Sequence, residues 1–147
     1  KTGAILGGAS DEEADLLYAY AEQVGVAFQL QDDWLDVYGD PAVFGKKIGG
    51  DILCDKKTYL LINAWVHADH GQRERLSRWI GHETENPEEK VEAVTSIYDE
   101  LGISELCLNA IEEYFRRAQQ LLEKIDVPAG PKAELEAYVR SLLNRKS

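Results

Sequence analysis

Residues 28–37 read Phe28-Gln29-Leu30-Gln31-Asp32-Asp33-Trp34-Leu35-Asp36-Val37. Polar and apolar side chains here do not alternate as they would along a half-buried strand. Gln29, Asp32, Asp33 and Asp36 instead fall at i, i+3, i+4 and i+7, which places all four on one face of a helix. Val24, Ala27, Phe28 and Leu35 flank that row on one side, and Leu30, Trp34 and Val37 on the other. The polar row is therefore narrow, in a helix whose remaining surface favours burial.

Upstream, Ser10 followed by Glu13 has capping-box spacing, so the helix is predicted to begin at Asp11 and to run through Val37. Gly39-Asp40-Pro41 stops it, because a proline disfavours helical geometry in the residue before it. Lys1 to Ala9 reads as the tail of an earlier helix, and the chain is expected to begin within one. A loop rich in glycine and lysine follows, from about Gly39 to Lys57. Helices are then predicted over Thr58–Asp69 and Gln72–Ile80. Another begins at Asn86-Pro87, with an N-cap asparagine and proline at the first helical position, and ends at Leu101-Gly102 with a glycine C-cap. Two more cover Ser104–Ile125 and Pro131–Asn144. No strand pattern occurs, so the predicted fold is all-α, with antiparallel helices joined by short connections.

Composition narrows the function. The 147 residues are 44% hydrophobic, enough to bury a core, and carry a formal net charge of −11. A nucleic-acid binder needs a basic footprint, and docking on anionic lipid needs the same. No apolar run approaches the roughly 20 residues of a membrane span, so no stable membrane insertion is expected. Cys54 and Cys107 form neither a CxxC nor a Cys/His zinc pattern and read as free thiols of a cytoplasmic protein. His67, His70 and His82 are not spaced as metal ligands.

Carboxylates crowded on a helix repel one another and resist burial unless a cation intervenes. Hard divalent ions, magnesium in particular, favour such oxygen ligands and complete their shell with water and phosphate oxygens. Taken alone, the row also fits an ordinary solvated acidic face. The loop beyond it holds Gly45-Lys46-Lys47-Ile48-Gly49-Gly50-Asp51 and Lys56-Lys57-Thr58. Glycines allow close backbone approach to a ligand, and lysines supply charge for phosphate. The loop has neither P-loop nor EF-hand spacing, and by itself it also fits a plain connection.

Read as one string, FQLQDDWLDVYGDPAVFGKKIGGDILCDKKT (residues 28–58) resembles the trans-isoprenyl diphosphate synthases, such as the farnesyl and geranylgeranyl diphosphate synthases. The FQ pair, the DDxxD, the GD turn, the GK loop, the GxD and the later lysine all occur in order. The resemblance implies the C-terminal half of one isoprenoid synthase helical bundle, spanning residues 1–147. It implies that Asp32, Asp33 and Asp36 hold Mg2+ on an allylic diphosphate, with Asp32, Asp33 and Lys46 in the catalytic centre. Gln29, Lys46 and Lys56 would contact that diphosphate, and Phe28 would border the prenyl pocket. Lys47 is a weaker candidate than Lys46, and Asp51 is expected to organise the loop or to bind metal through water. The implied reaction condenses isopentenyl diphosphate head-to-tail with the allylic diphosphate to a short-chain product, and the implied assembly is a homodimer.

The family's first aspartate-rich motif, with its arginine pair, is not in the sequence. The chain is accordingly expected to be part of a longer enzyme and to be inactive alone. Lys1-Thr2 is not assigned to the site, because its distance from the FQ pair does not match the family's Lys-Thr pair. Two alternatives stand beside this reading: a non-catalytic subunit of a heteromeric prenyl synthase, and a terpene cyclase. The cyclase is disfavoured by the GK…GGD…K loop.

Overall fold

The computed structural model describes residues 1–44 and 48–143. Among the described residues the secondary structure is helical, with no strand. The helices are α1 (Thr2–Leu6), α2 (Asp11–Tyr38), α3 (Pro41–Phe44), α4 (Gly50–Leu53), α5 (Tyr59–His67), α6 (His70–Ser77), α7 (Pro87–Glu100), α8 (Ile103–Glu123) and α9 (Ala129–Leu143). The all-α class expected from sequence is what the chain adopts.

The predicted caps are formed. The Ser10 backbone N–H donates to Glu13 Oε2 at 2.9 Å, and the Glu13 N–H donates to Ser10 Oγ at 3.3 Å. This is the reciprocal box that satisfies orphan donors at a helix start. Asn86 Oδ1 accepts from the Glu89 N–H, with Pro87 opening α7 behind it. Gly102 ends that helix in the left-handed conformation at φ +65°. Two starts fall two residues before the predicted position. α6 begins at His70, because Asp69 and Gln72 form a second capping box. α9 begins at Ala129, with Pro131 inside its first turn, where a proline leaves no intrahelical bond unmade.

The chain divides into two compact units, Lys1–Gln29 with the chain from Ala110 onward, and Leu30–Asn109. In the first, Tyr20, Ala118, Leu122, Ile125 and Val139 form a buried cluster, with Leu16, Val24, Phe115 and Leu135 packed against it. Apolar residues at helical spacing on α2, α8 and α9 converge there. Arg140 lies over the Phe115 ring at 5.8 Å, so this cation of α9 rests on the aromatic face.

In the second unit α7 packs against α4, α5 and α6. Val94, Ile97 and Tyr98 on α7 are buried, as are Leu60 and Ala64 on α5 and Leu76 on α6. Polar ties fix the helix register. Trp34 Nε1 donates to Ser104 Oγ at 2.9 Å, and Tyr38 Oη donates to Asp99 Oδ1 at 3.0 Å. The Arg75 guanidinium grips Glu100 through two bonds of 2.8 Å. Cys107 is fully buried, with its Sγ 3.7 Å from the Leu30 carbonyl, and burial pushes its thiol up to about 12. Cys54 is exposed, and both cysteines are free.

Candidate active site

The acidic row lies on the second half of α2. Asp33 is buried, Asp32 and Asp36 are half-buried, and the apolar neighbours Leu30, Leu35 and Val37 are in the core. Of the row, Asp33 is thus turned inward, with Asp32 and Asp36 at its margin. One turn earlier on α2, Phe28 is half-buried and Gln29 exposed.

The short helix α4, in the segment read from sequence as loop, is docked onto this row. The Asp51 backbone N–H donates to Asp36 Oδ2 at 2.7 Å, and the Gly49 N–H donates to the Asp36 carbonyl. Two glycines make that approach possible. A Cβ at Gly50 would sit 3.3 Å from Asp36 Oδ1. Gly49 has φ +86°, and a Cβ there would come within 2.6 Å of Val91 on α7. The glycines of the GGD element therefore serve packing, by removing bulk between α2, α4 and α7.

Lys56 closes the cluster. Its Nζ donates to Asp33 Oδ1 at 3.0 Å and to Asp51 Oδ2 at 2.7 Å. The hydrogen bond to Asp51 is the main reason the Lys56 ammonium holds its proton well above the ordinary lysine range; burial opposes it, and the bond to Asp33 with the charges of Asp33 and Asp51 add to it. Asp36 is shifted the other way in charge. Burial pushes its carboxyl above the usual carboxylate range, helped by the charges of Asp51 and Asp33, while the Asp51 N–H and Lys56 pull it back. The residue at the end of the row is therefore held up chiefly by burial, and the one in its middle has an ammonium against it.

The structure accordingly brings together Asp33, Asp36, Asp51 and Lys56, with Asp32 beside them on the same helix. Lys46 and Lys47 lie outside the described residues. Asp51, expected to organise the loop or meet a metal through water, organises the turn through its backbone and through Lys56. Among the described residues no three His, Cys, Asp or Glu side chains gather closely enough to cage a metal ion by themselves. No helix among them is long and apolar enough to cross a membrane.

This helical fold superposes on part of the fold of solved isoprenoid diphosphate synthases. The chain belongs to the polyprenyl synthetase family, whose model matches residues 1–97. It is 34% identical over 126 residues to the short chain isoprenyl diphosphate synthase of Methanothermobacter thermautotrophicus, covering 86% of this chain and 38% of that protein. A crystal structure of a geranylgeranyl pyrophosphate synthase superposes with a TM-score of 0.87 at 36% identity, over 99% of this chain and 45% of that one. A second, from Corynebacterium glutamicum and complexed with isoprenyl diphosphate and magnesium, superposes at 0.84 with 32% identity, over 98% of this chain and 41% of that one. The chain thus spans less than half the length of the relatives it matches.

Proposed function

We propose that this chain supplies the allylic-diphosphate half of a prenyltransferase active site, for head-to-tail condensation with isopentenyl diphosphate to a short-chain prenyl diphosphate. The observation that carries the reading is the cluster of Asp33, Asp36, Asp51 and Lys56, a partly buried carboxylate row laced to a cationic turn. The similar synthase from Corynebacterium glutamicum, complexed with isoprenyl diphosphate and magnesium, favours the same chemistry.

The donor set fits magnesium. Such an ion binds through one or two carboxylates and takes its other ligands from water and phosphate oxygens, so a full protein cage is not required. Asp32, Asp33 and Asp36 would hold it, and burial that pushes the Asp36 carboxyl upward gives that residue a reason to welcome a cation. When bound, magnesium offsets the charge on the departing pyrophosphate.

The chain's own side chains do the rest. Lys56, already extended over the row, and Lys46 in the glycine–lysine loop supply ammonium groups to the diphosphate oxygens. Gln29, a turn before Asp32 and Asp33, offers an amide donor to the same group. Phe28 lends an apolar edge for the prenyl chain. The bound diphosphate is thereby oriented with its leaving oxygens in a field of positive charge that is set before reaction. A homodimer in the cytoplasm is the assembly we favour, in keeping with the family and with two unbridged thiols.

The test is a titration of magnesium and inorganic pyrophosphate into the natural polypeptide that carries this sequence, with Asp32→Ala and Asp33→Ala variants. Both variants should lose metal-dependent pyrophosphate binding and at least about 100-fold in turnover. Unchanged turnover in both would overturn the reading. Product analysis with isopentenyl diphosphate separates it from a terpene cyclase, which would ignore that co-substrate.

A further inference from the structure

Asp55 is the residue other than glycine that takes a positive φ among the described residues, at 51°. It sits immediately before Lys56. The turn folds back on α4, with the Asp55 N–H donating to the Ile52 carbonyl at 3.2 Å and the Lys56 N–H to the Asp51 carbonyl at 3.0 Å. Left-handed geometry is uncommon for a residue with a side chain, though aspartate tolerates it better than most. Something outside the turn must favour it.

That support comes from α7 and from the connection that precedes it. Asp55 Oδ1 accepts from Lys90 Nζ at 2.7 Å, and Asp55 Oδ2 accepts from the Gly81 N–H at 3.0 Å. The Lys90 side chain is only 2% exposed, with the His82 carbonyl as a further acceptor at 3.5 Å. An ion pair with its lysine buried and its aspartate partly exposed gives little net stability over an apolar pair of the same volume, but it fixes a direction. The neighbouring residue on α7, Val91, fills the space beside Gly49 at the other end of α4. Adjacent residues of one helix therefore hold both ends of the short element that presents Asp51 and Lys56 to the acidic row.

We infer that Asp55 and Lys90 are positioning residues, a tether from α7 that holds the left-handed turn and thereby aims the Lys56 ammonium at Asp33 and Asp51. Neither touches the diphosphate. The inference rests on Lys56 being a diphosphate contact, as proposed above, and adds the residues that place it.

Magnesium-dependent binding of inorganic pyrophosphate, measured by calorimetry on the natural polypeptide, tests it. The double variant Asp55→Gly with Lys90→Met removes the tether, leaves no buried unpaired charge and keeps a residue that accepts the turn geometry. It should weaken pyrophosphate roughly tenfold, the size expected when a supporting contact is lost. Asp55→Asn, which retains an acceptor for Lys90, should recover most of that affinity. In a Lys56→Met background, removing the tether should cost nothing further, because both changes act through the same ammonium. An equal loss in both backgrounds, or a lowered melting temperature with unchanged affinity, overturns the tether. If Lys56→Met alone leaves pyrophosphate binding intact, the assignment of Lys56 fails, and the tether with it. If Lys56→Met weakens binding and the tether variant does not, only the tether fails. Should the double variant melt below the assay temperature, Lys90→Met alone, which leaves the partly exposed Asp55 to water, makes the same comparisons.

Discussion

Gly49 carries two constraints at once: a φ of +86° and the Val91 methyls where its Cβ would be. Gly49→Ala should therefore destabilise the fold by about 2–4 kcal/mol, the left-handed cost and the overpacking acting together. Adding Val91→Ala should return the steric part only, and chemical denaturation of the variants reads the difference. A glycine that tolerated alanine without loss would mean that α4 is free to shift. At this scale the sequence was informative where neighbours in space are neighbours in number. Asp32, Asp33 and Asp36 share a helix face by arithmetic alone. Lys56 was picked out by its place after the GGD element, but its landing on Asp33 and Asp51 was not visible. Lys90 was invisible as a partner. Its acceptor lies 35 residues earlier, and a lysine in the first turn of an acidic helix reads as a solvated side chain.

Helix α2 owes its start to the Ser10–Glu13 box. Ser10→Ala should cost about 1 kcal/mol, measurable as a shift in the urea midpoint. The change should leave pyrophosphate binding untouched, since the cap lies at the far end of the helix from the aspartate row. The long helices were legible because caps and periodicity agree in them: α2 and α7 begin where their caps predicted, and α8 falls within two residues of its expected ends. α4 was not. Gly50–Leu53 is too short for any period to show, and it is helical because Asp36 receives its first N–H groups and Val91 packs against its entrance. The Asp69–Gln72 box is present in the sequence and starts α6 two residues ahead of the predicted start. Tertiary docking determined the short element and local chemistry the long ones.

Among the described residues, three carboxylates on different helices are held below their ordinary range: Glu13 by Ser10, Glu100 by Arg75, and Glu113 by Arg116 and Arg117. A carboxylate whose folded value lies below its unfolded one contributes stability that is present above the unfolded value. That contribution is lost as the pH falls through the folded one. Stability should therefore decline on acidification through and below the normal carboxylate range, and urea midpoints measured at descending pH check it. Glu113→Gln should make the decline shallower; an unaltered slope would mean that its arginines are not engaged in solution. The family was legible because residues 28–58 carry an ordered string of motif elements. The division into two compact units was not, since the boundaries at Gln29–Leu30 and Asn109–Ala110 fall inside continuous helices, where composition does not change.

The unequal environments of Cys54 and Cys107 have a practical use. A maleimide offered to the folded chain at neutral pH meets an accessible sulfur at Cys54 and an enclosed, protonated one at Cys107, so a single adduct should form, and a second only after denaturation. A fluorophore coupled there sits directly before Asp55 and Lys56. Wild-type protein thus arrives with a ready attachment point for a spectroscopic reporter of how that bend responds when pyrophosphate is added.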